Sequence, residues 1–410
     1  MAVRMNPDAR ETKPPERTGP ALLQLGFRPF FLLAGAWAVV SVGAWLAVVA
    51  GLVELPSLFD PVSWHAHEMI FGYAMAVASG FFLTAIPNWT GRLPVRGWPL
   101  AALALLWLAG RAAVLFSEIL TAPVAAVLDL SFPAVFVAVI AREIVAGRNR
   151  RNLLMVGLVA LLLAGNTLMH LQAVAGVQTA ALGERLGLAA LLFLIAVVGG
   201  RITPSFTRNW LAKRNSAHLP RPFSMIDRAA LIVAAAALAA WIAGPEAVMT
   251  AWLCLAAAAV LAVRLSRWSG WRTLVEPLLL VLHVGYGWLF VGFALLGLAN
   301  LTTLVPASAA LHALTIGAVG TMTLAVMTRA TLGHSGRPLT AGPGTVAIYA
   351  MVTVAAALRV VGASFDDLAS VMLPASGLFW MVAFGLFVTI YLPDLTGSRR
   401  KRSASNTAPP

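Results

Sequence analysis

The sequence predicts an all-α integral membrane protein of about twelve transmembrane helices. Of its 410 residues, 60% are hydrophobic and only 11% are charged, and the mean hydropathy is +0.85. This apolar share exceeds what a soluble globular domain buries. Runs of about 20 apolar residues recur along the chain, each long enough for a helix to cross the hydrocarbon core. They lack residue-by-residue alternation, which favours a helical bundle over a β-barrel.

The apolar runs define one membrane domain with two polar tails. We expect residues 23–394 to span the membrane, and residues 1–22 and 395–410 to be disordered cytoplasmic tails. The first tail is charged and contains proline, without a short apolar run before a cleavage site, so it is not interpreted as a signal peptide. The predicted spans are centred near Val40, Val77, Leu105, Val135, Leu161, Leu194, Ala235, Ala257, Phe290, Ala318, Ala355 and Phe384.

The distribution of basic residues predicts the orientation. The net charge is +13, with 29 Lys and Arg residues. If the N-terminus is cytoplasmic, all of them except Arg111, Arg185 and Arg359 fall on the cytoplasmic side of the predicted spans. Such asymmetry over short loops is the positive-inside rule, so both termini are predicted to be cytoplasmic. The charge therefore gives no reason to expect nucleic acid as a partner; the expected surroundings are a lipid bilayer.

Histidines at membrane depth are the candidate site residues. His65 and His67 open the second span, His170 lies near the outer end of the fifth, and His312 begins the tenth. His283 lies within the ninth span, which is predicted to enter the membrane from the cytoplasmic side. Ionisable residues in membrane spans are costly and usually mark functional sites. The alternative for any one of them is an interfacial side chain that simply reaches water.

The surrounding residue types favour haem iron or copper as the bound metal. Neutral imidazole ligates both metals, and the only cysteine, Cys254, leaves no cluster for iron–sulfur or structural zinc. On a regular helix His65 and His67 point about 200° apart, so they face different neighbours. His65 shares a face with Glu68 and Met69. Glu68 is therefore expected to support a ligating imidazole by accepting its second ring N–H.

Glycines accompany two of these histidine helices. Gly72 follows His67, and Gly317 and Gly320 follow His312. They would leave space for a flat macrocycle or allow close packing of helices through small residues. The sequence leaves both alternatives open.

Three similar segments predict a weak internal repeat. Residues 84–94, 199–211 and 327–339 each combine Thr and Arg with small residues at the inner ends of spans 2, 6 and 10. The spacing of four helices predicts a threefold repeat of four-helix units. Arginines at such helix ends are more often inside anchors than anion ligands.

Several long motifs together resemble one known family. They are "LGFRPFFLLAG", "WHAHEMIFGYA", "GFFLTAIPNWTGRLP", "NTLMHL", "GGRITPSFTRNWL" and "HALTIGAVGTMTLAVMTRATLGHSGRPL". In this order, from about Leu25 to about Leu392, they resemble the NnrS family. The resemblance implies a multi-pass protein of the bacterial inner membrane that contains haem and copper and is linked to nitric oxide, denitrification and tolerance to nitrosative stress. The motif histidines are His65, His67, His170, His312 and His334, with His283 in the similar ninth span.

Two functions remain open at the level of sequence. The first is a haem and copper protein that acts on nitric oxide or iron–nitrosyl species, by redox chemistry with an unknown electron donor or by ligand binding alone. The alternative is a secondary transporter that uses intramembrane histidines for proton coupling. We expect His65, His67 and His312 to bind metal first, and His170 and His283 next. His218 and His334 are predicted to lie in cytoplasmic loops, away from the main metal site.

Overall fold

The computed structural model describes residues 19–398, and all regular secondary structure within that range is helical. Twelve helices are long and apolar enough to cross a membrane, and each contains one of the predicted centres, which confirms the predicted number of spans. In chain order they are α1 (Phe27–Val49), α2 (Pro61–Thr90), α3 (Trp98–Leu115), α4 (Ala122–Ala146), α5 (Arg150–Ala175), α6 (Ala180–Ala212), α7 (Met225–Ala243), α8 (Val248–Ser266), α9 (Pro277–Leu301), α10 (Ala307–Ser335), α11 (Pro343–Ser364) and α12 (Asp366–Thr396). The chain is therefore a multi-pass membrane protein.

The predicted tails are described only in part. Residues 1–18 and 399–410 of these tails lie outside the described residues. A short 3-10 helix at Ala21–Leu23 precedes α1, and α12 continues to Thr396, just past the expected limit of the membrane domain at residue 394. The division into two disordered tails and one membrane domain stays a proposal, as does the cytoplasmic side of both termini.

Three helices form the centre of the bundle. Each span contains an apolar stretch of 18 residues, and the buried share of that stretch is 83% in α2 and 67% in α6 and α10. In the other spans it is 56% at most. These three helices contact one another, while α1 packs along α12 and brings the two ends of the membrane domain together. Side chains on α2, α6 and α10 are thus the best shielded from lipid.

The same three helices share a local irregularity. Each contains a π-helical segment: Glu68–Ala74 in α2, Ile195–Gly199 in α6 and Ala313–Gly320 in α10. π-turns are rare and occur frequently at functional sites. Because α2, α6 and α10 also carry the three similar motifs at their C-terminal ends, the π-segments support the predicted threefold repeat, which stays a prediction.

The glycines of the π-segments make room for side chains of other helices. A Cβ on Gly72 would lie 2.8 Å from both Arg111 Nη1 and Glu68 Oε2. A Cβ on Gly317 would lie 2.6 Å from the Trp288 ring, and one on Gly320 would lie 2.5 Å from the Trp380 ring. Of the two alternatives, close packing accounts for all three glycines.

Candidate functional site

The N-terminal end of α2 is held by a helix cap. The Asp60 carboxylate accepts hydrogen bonds from the backbone N–H groups of Val62 and Ser63 at 3.0 and 3.1 Å, and Pro61 occupies the first helical position. Partial burial alone would raise the pKa of Asp60, but the hydrogen bonds from Ser63 and Val62 outweigh it and hold that pKa below its usual range. The cap fixes where the helix that carries His65 and His67 begins.

Two histidines and a carboxylate converge inside the bundle. His67 Nε2 lies 3.2 Å from Asp129 Oδ2, and His170 Nε2 lies 2.9 Å from the same oxygen. The Asn166 amide adds two contacts, with its oxygen 2.8 Å from His67 Nε2 and its nitrogen 2.8 Å from Asp129 Oδ2. Their side chains come from α2, α4 and α5, and none of these four residues is more than 3% exposed.

These residues have the geometry of a candidate metal centre. One ligand atom each from His67, Asp129 and His170 lies within 4.8 Å of the other two. Nitrogen and oxygen donors in this number suit a first-row transition metal. We call His67, Asp129, His170 and Asn166 the buried cluster.

A second layer of charged groups supports the buried cluster. Glu68 Oε1 lies 3.0 Å from His67 Nδ1, and Trp37 Nε1–H donates to Glu68 Oε2 at 2.7 Å. Arg111 Nη1 donates to both Glu68 oxygens at 2.8 Å, and its Nη2 donates to Asp129 Oδ1. One guanidinium thus neutralises only one of two buried carboxylates. A further positive charge, either a proton on an imidazole or a metal ion, would complete the balance.

Glu68 supports a different histidine from the one that regular helix spacing indicated. It pairs with His67, whereas His65 was the expected partner. The reason is local: Glu68 begins the π-segment, and Arg111 and Trp37 hold its carboxylate on the His67 side. Met69 lies on the His65 side, with Sδ 3.7 Å from Ser41 Oγ.

His65 and His312 line a separate cavity of about 270 Å³, which we call the histidine cavity. His312 Nδ1–H donates to the Ser308 carbonyl at 2.7 Å, which leaves Nε2 as the nitrogen with a free lone pair. The His65 ring stacks on Trp45 with ring centroids 4.7 Å apart, and its buried Nδ1 has no hydrogen-bond partner among the described residues. The cavity thus contains two imidazoles with unused ligand atoms.

Most of the histidine cavity is apolar, and its charged groups are few. Trp45, Tyr73 and Trp380 contribute large aromatic surfaces. Arg185 of α6 and Arg359 of α11 also line it, together with one carboxylate, Glu184 of α6. The two arginines are among the three basic residues that the orientation analysis placed outside the cytoplasmic side. With two cations against one carboxylate, the cavity is suited to a large apolar group that carries negative charge.

The three remaining histidines belong neither to the buried cluster nor to the histidine cavity. His283 Nε2 lies 2.9 Å from Thr207 Oγ1, and the residue is only 7% exposed, so it packs in the protein interior apart from the other candidate ligands. His218 lies exposed in the connection after α6, as predicted. The predicted loop position of His334 is wrong: it lies in the last turn of α10, with its ring 5.5 Å from that of Phe27.

Three residues of the site were not among the candidates from sequence. Asp129 and Asn166 had not been singled out, and Arg111 had entered only as an exception to the charge asymmetry. A signal was present, since Arg111 and Asp129 are ionisable residues within the apolar runs of α3 and α4. Such residues persist in membrane spans when they pair with each other or face a cavity.

The comparison with protein families agrees with the motifs. The family model described as NnrS protein matches residues 21–399, which include all twelve helices. No curated protein matches the chain. The resemblance predicted from the motifs is thereby confirmed over nearly the whole chain.

Proposed function

Because this chain belongs to the NnrS family, we propose that it binds haem and copper and acts on nitric oxide or iron–nitrosyl species in the bacterial inner membrane. Family membership itself associates this membrane protein with the nitric oxide response. One observation carries the finer proposal. The four histidines at the outer ends of their helices separate into two pairs, His65 with His312 and His67 with His170.

The lining of the histidine cavity supports haem as its ligand. His65 and His312 would hold the iron, since each has a ring nitrogen that no other described group uses. The aromatic lining suits the macrocycle, and Arg185 and Arg359 suit its two carboxylates. Haem held there would supply an iron that exchanges electrons and that takes nitric oxide as a ligand in place of one imidazole. The hydrogen bond from His312 to Ser308 keeps that imidazole in one tautomer and one orientation.

The buried cluster fits copper. His67, His170 and Asp129 would be the ligands, and imidazole is a common ligand for this metal. Copper held there would supply a second redox centre, which gains or loses one electron. Glu68 accepts the Nδ1–H of His67, which is the usual arrangement behind a metal-bound imidazole. Arg111 donates hydrogen bonds to both carboxylates and holds them in place.

Optical spectra and metal analysis of detergent-purified protein test this proposal. Spectra are recorded oxidised, dithionite-reduced and with nitric oxide, and iron and copper are measured. We expect a Soret band that shifts with nitric oxide, and bound copper. The variants His65→Ala and His312→Ala should lose haem and retain copper. His170→Ala should lose copper and retain haem, and His283→Ala, the control, should retain both.

Two results would contradict the proposal. One is a folded protein that has neither a Soret band nor copper after haem-replete expression. The other is loss of both metals in every histidine variant, including His283→Ala, because that pattern reports general unfolding. Whether the protein turns over nitric oxide or only binds it follows from nitric oxide consumption by the loaded protein with a chemical electron donor.

A secondary transporter remains the second candidate, and the ionisable groups in and around the buried cluster favour it. Two carboxylates, one guanidinium and two imidazoles inside a membrane bundle are the kind of groups that relay protons. Under this function His67 and His170 would carry protons in place of copper. Proton-coupled uptake of a substrate into liposomes that hold haem-free, copper-free protein would establish it. Uptake that does not respond to a proton gradient would exclude a proton-coupled transporter.

A further inference from the structure

A smaller cavity lies at the centre of the bundle, between α2, α6 and α10. Its volume is about 70 Å³, and its lining includes Ala74, Ala78, Ile195, Gly199, Val319 and Met322. We call it the central cavity. All three π-segments contribute to its wall, through Ala74, Ile195 and Val319.

The central cavity offers nothing that holds water. Thr323 is the one lining residue with a polar side chain. Its hydroxyl lies at hydrogen-bond distance from the carbonyls of Val319 and Gly320, at 2.8 and 2.9 Å, and is also paired with the Tyr73 hydroxyl. A buried water needs two to four polar partners, and dry apolar cavities bind small apolar molecules instead.

Only a thin partition separates the central cavity from the histidine cavity. Leu191 and Val319 line both cavities. The hydrogen bond between Tyr73 and Thr323 crosses the same boundary, since Tyr73 lines the histidine cavity and Thr323 the central one. A small molecule in the central cavity is therefore one side chain away from the histidine cavity.

The other rim of the central cavity consists of apolar side chains that are only partly buried within the protein. Phe81, Leu194, Val198 and Val326 line this rim, and each is only partly buried although it belongs to a membrane span. Partly exposed apolar side chains in the middle of a span contact hydrocarbon. This rim is therefore where a molecule dissolved in the hydrocarbon core would enter the cavity.

We propose that the central cavity binds a small uncharged gas and passes it between the hydrocarbon core and the histidine cavity. A volume of about 70 Å³ is several times the roughly 10–15 Å³ that one water-sized molecule needs. It is too small for a large organic cofactor. The apolar lining excludes ions. The identity of the gas as nitric oxide rests on the proposed function, whereas the site itself does not.

Xenon tests the site without any cofactor. Crystals of the full chain pressurised with xenon should show an anomalous peak between Ala78, Ile195 and Val319. The variant Ala78→Phe should fill the cavity and remove the peak, and Val198→Phe at the rim provides a second variant that disturbs packing less. The matched control Ala259→Phe lies on the exposed face of α8 and should retain the peak. Ordered water in the cavity, or no xenon in the unaltered protein, overturns the proposal.

Ligand kinetics test the passage. In haem-loaded protein, Val198→Phe should slow association of nitric oxide with ferrous haem by roughly 10-fold while the Soret maximum stays the same. Val382→Phe, on the exposed face of α12, should leave the rate unchanged. An unchanged rate in Val198→Phe overturns the passage even where xenon binds. Protein that binds xenon in the central cavity but takes up no haem defeats the proposed function and leaves the gas site standing.

Discussion

At the scale of single residues, Asp129 and Arg111 determine the chemistry of the buried cluster. Asp129 Oδ2 is the atom on which both imidazoles converge, and its other oxygen accepts from Arg111. Arg111 in turn holds Glu68, which supports His67. A charged residue from a third helix thus fixes the position of a histidine that it does not touch.

Arg111→Met should destabilise the protein strongly. The substitution keeps an apolar stem but leaves two buried carboxylates without their cation, and breaking a buried ion pair in this way costs about 3–5 kcal/mol. Arg142→Met is the control, because Arg142 pairs with Glu143 near the surface and such pairs contribute about 0–1 kcal/mol. Unfolding in mixed detergent micelles measures both. Equal stability of the two variants would contradict this account of Arg111.

At the scale of elements, α2 organises the site through its cap and its π-segment. The cap at Asp60 sets the start of the helix, and the π-segment from Glu68 changes the direction of the side chains that follow. His65 faces the histidine cavity and His67 the buried cluster, only two residues apart. One helix therefore supplies a ligand candidate to each of two sites.

Gly72→Ala should be destabilising at the π-segment of α2. The added Cβ would meet Arg111 and Glu68 at 2.8 Å, and overpacking of this kind typically costs about 1–3 kcal/mol. Gly157→Ala in α5 is the matched control, since nothing lies within 4 Å of its added Cβ and alanine favours a helix by roughly 0.5–1 kcal/mol. Thermal unfolding should move in opposite directions for the two variants. A shift of the same sign in both would refute the packing role of Gly72.

Asp60→Ala should weaken the N-terminal end of α2 in a pH-dependent way. Loss of an N-cap carboxylate costs roughly 0.5–2 kcal/mol. Because hydrogen bonds lower the folded-state pKa of Asp60, its stabilisation is complete above about pH 4 and is lost as the pH falls through the lower folded-state value. Melting curves from pH 7 downward should show the largest difference from the unaltered protein at pH 7, and the difference should shrink as the pH falls below about 4. Asp366→Ala, at a helix start without a side-chain cap, should have a smaller effect.

At the scale of the whole molecule, burial is concentrated on every fourth helix. α2, α6 and α10 are the most buried spans and carry the three π-segments, while the other spans surround them. Both cavities and the buried cluster include residues of α2, and both cavities include residues of α6 and α10. The two cavities therefore lie where the three similar helices meet, whereas the buried cluster joins α2 to α4 and α5.

The orientation of the bundle is a prediction that reporter fusions can test. Twelve spans place both termini on one side, and the basic residues predict that this side is the cytoplasm. A green fluorescent protein fused after Pro410 should fluoresce in a bacterial host. Alkaline phosphatase fused in the connection between α9 and α10 should be active, because that connection is predicted to face outward. The opposite pattern would reverse the orientation and place the histidine cavity on the cytoplasmic side.

The sequence by itself determined the helices, their number and the family. These follow from runs of neighbouring residues, because the apolar lengths and the ordered motifs are read along the chain without knowledge of packing. The different directions of His65 and His67 also followed from helical spacing alone. His334 departed from its predicted loop because α10 runs one turn further than its apolar residues indicated.

Only the tertiary structure decided which residues meet. Periodicity gives the direction of a side chain around its own helix, but it does not say which helix lies opposite. Asp129 and His170 reach His67 from α4 and α5, and His312 shares a cavity with His65 across 247 positions of sequence. The π-segment at Glu68 also changes the angular spacing on which the sequence argument depended, so Glu68 supports His67 instead of His65. Contacts between distant helices lower the free-energy cost of placing charged side chains in the membrane, and these contacts form only in the folded bundle.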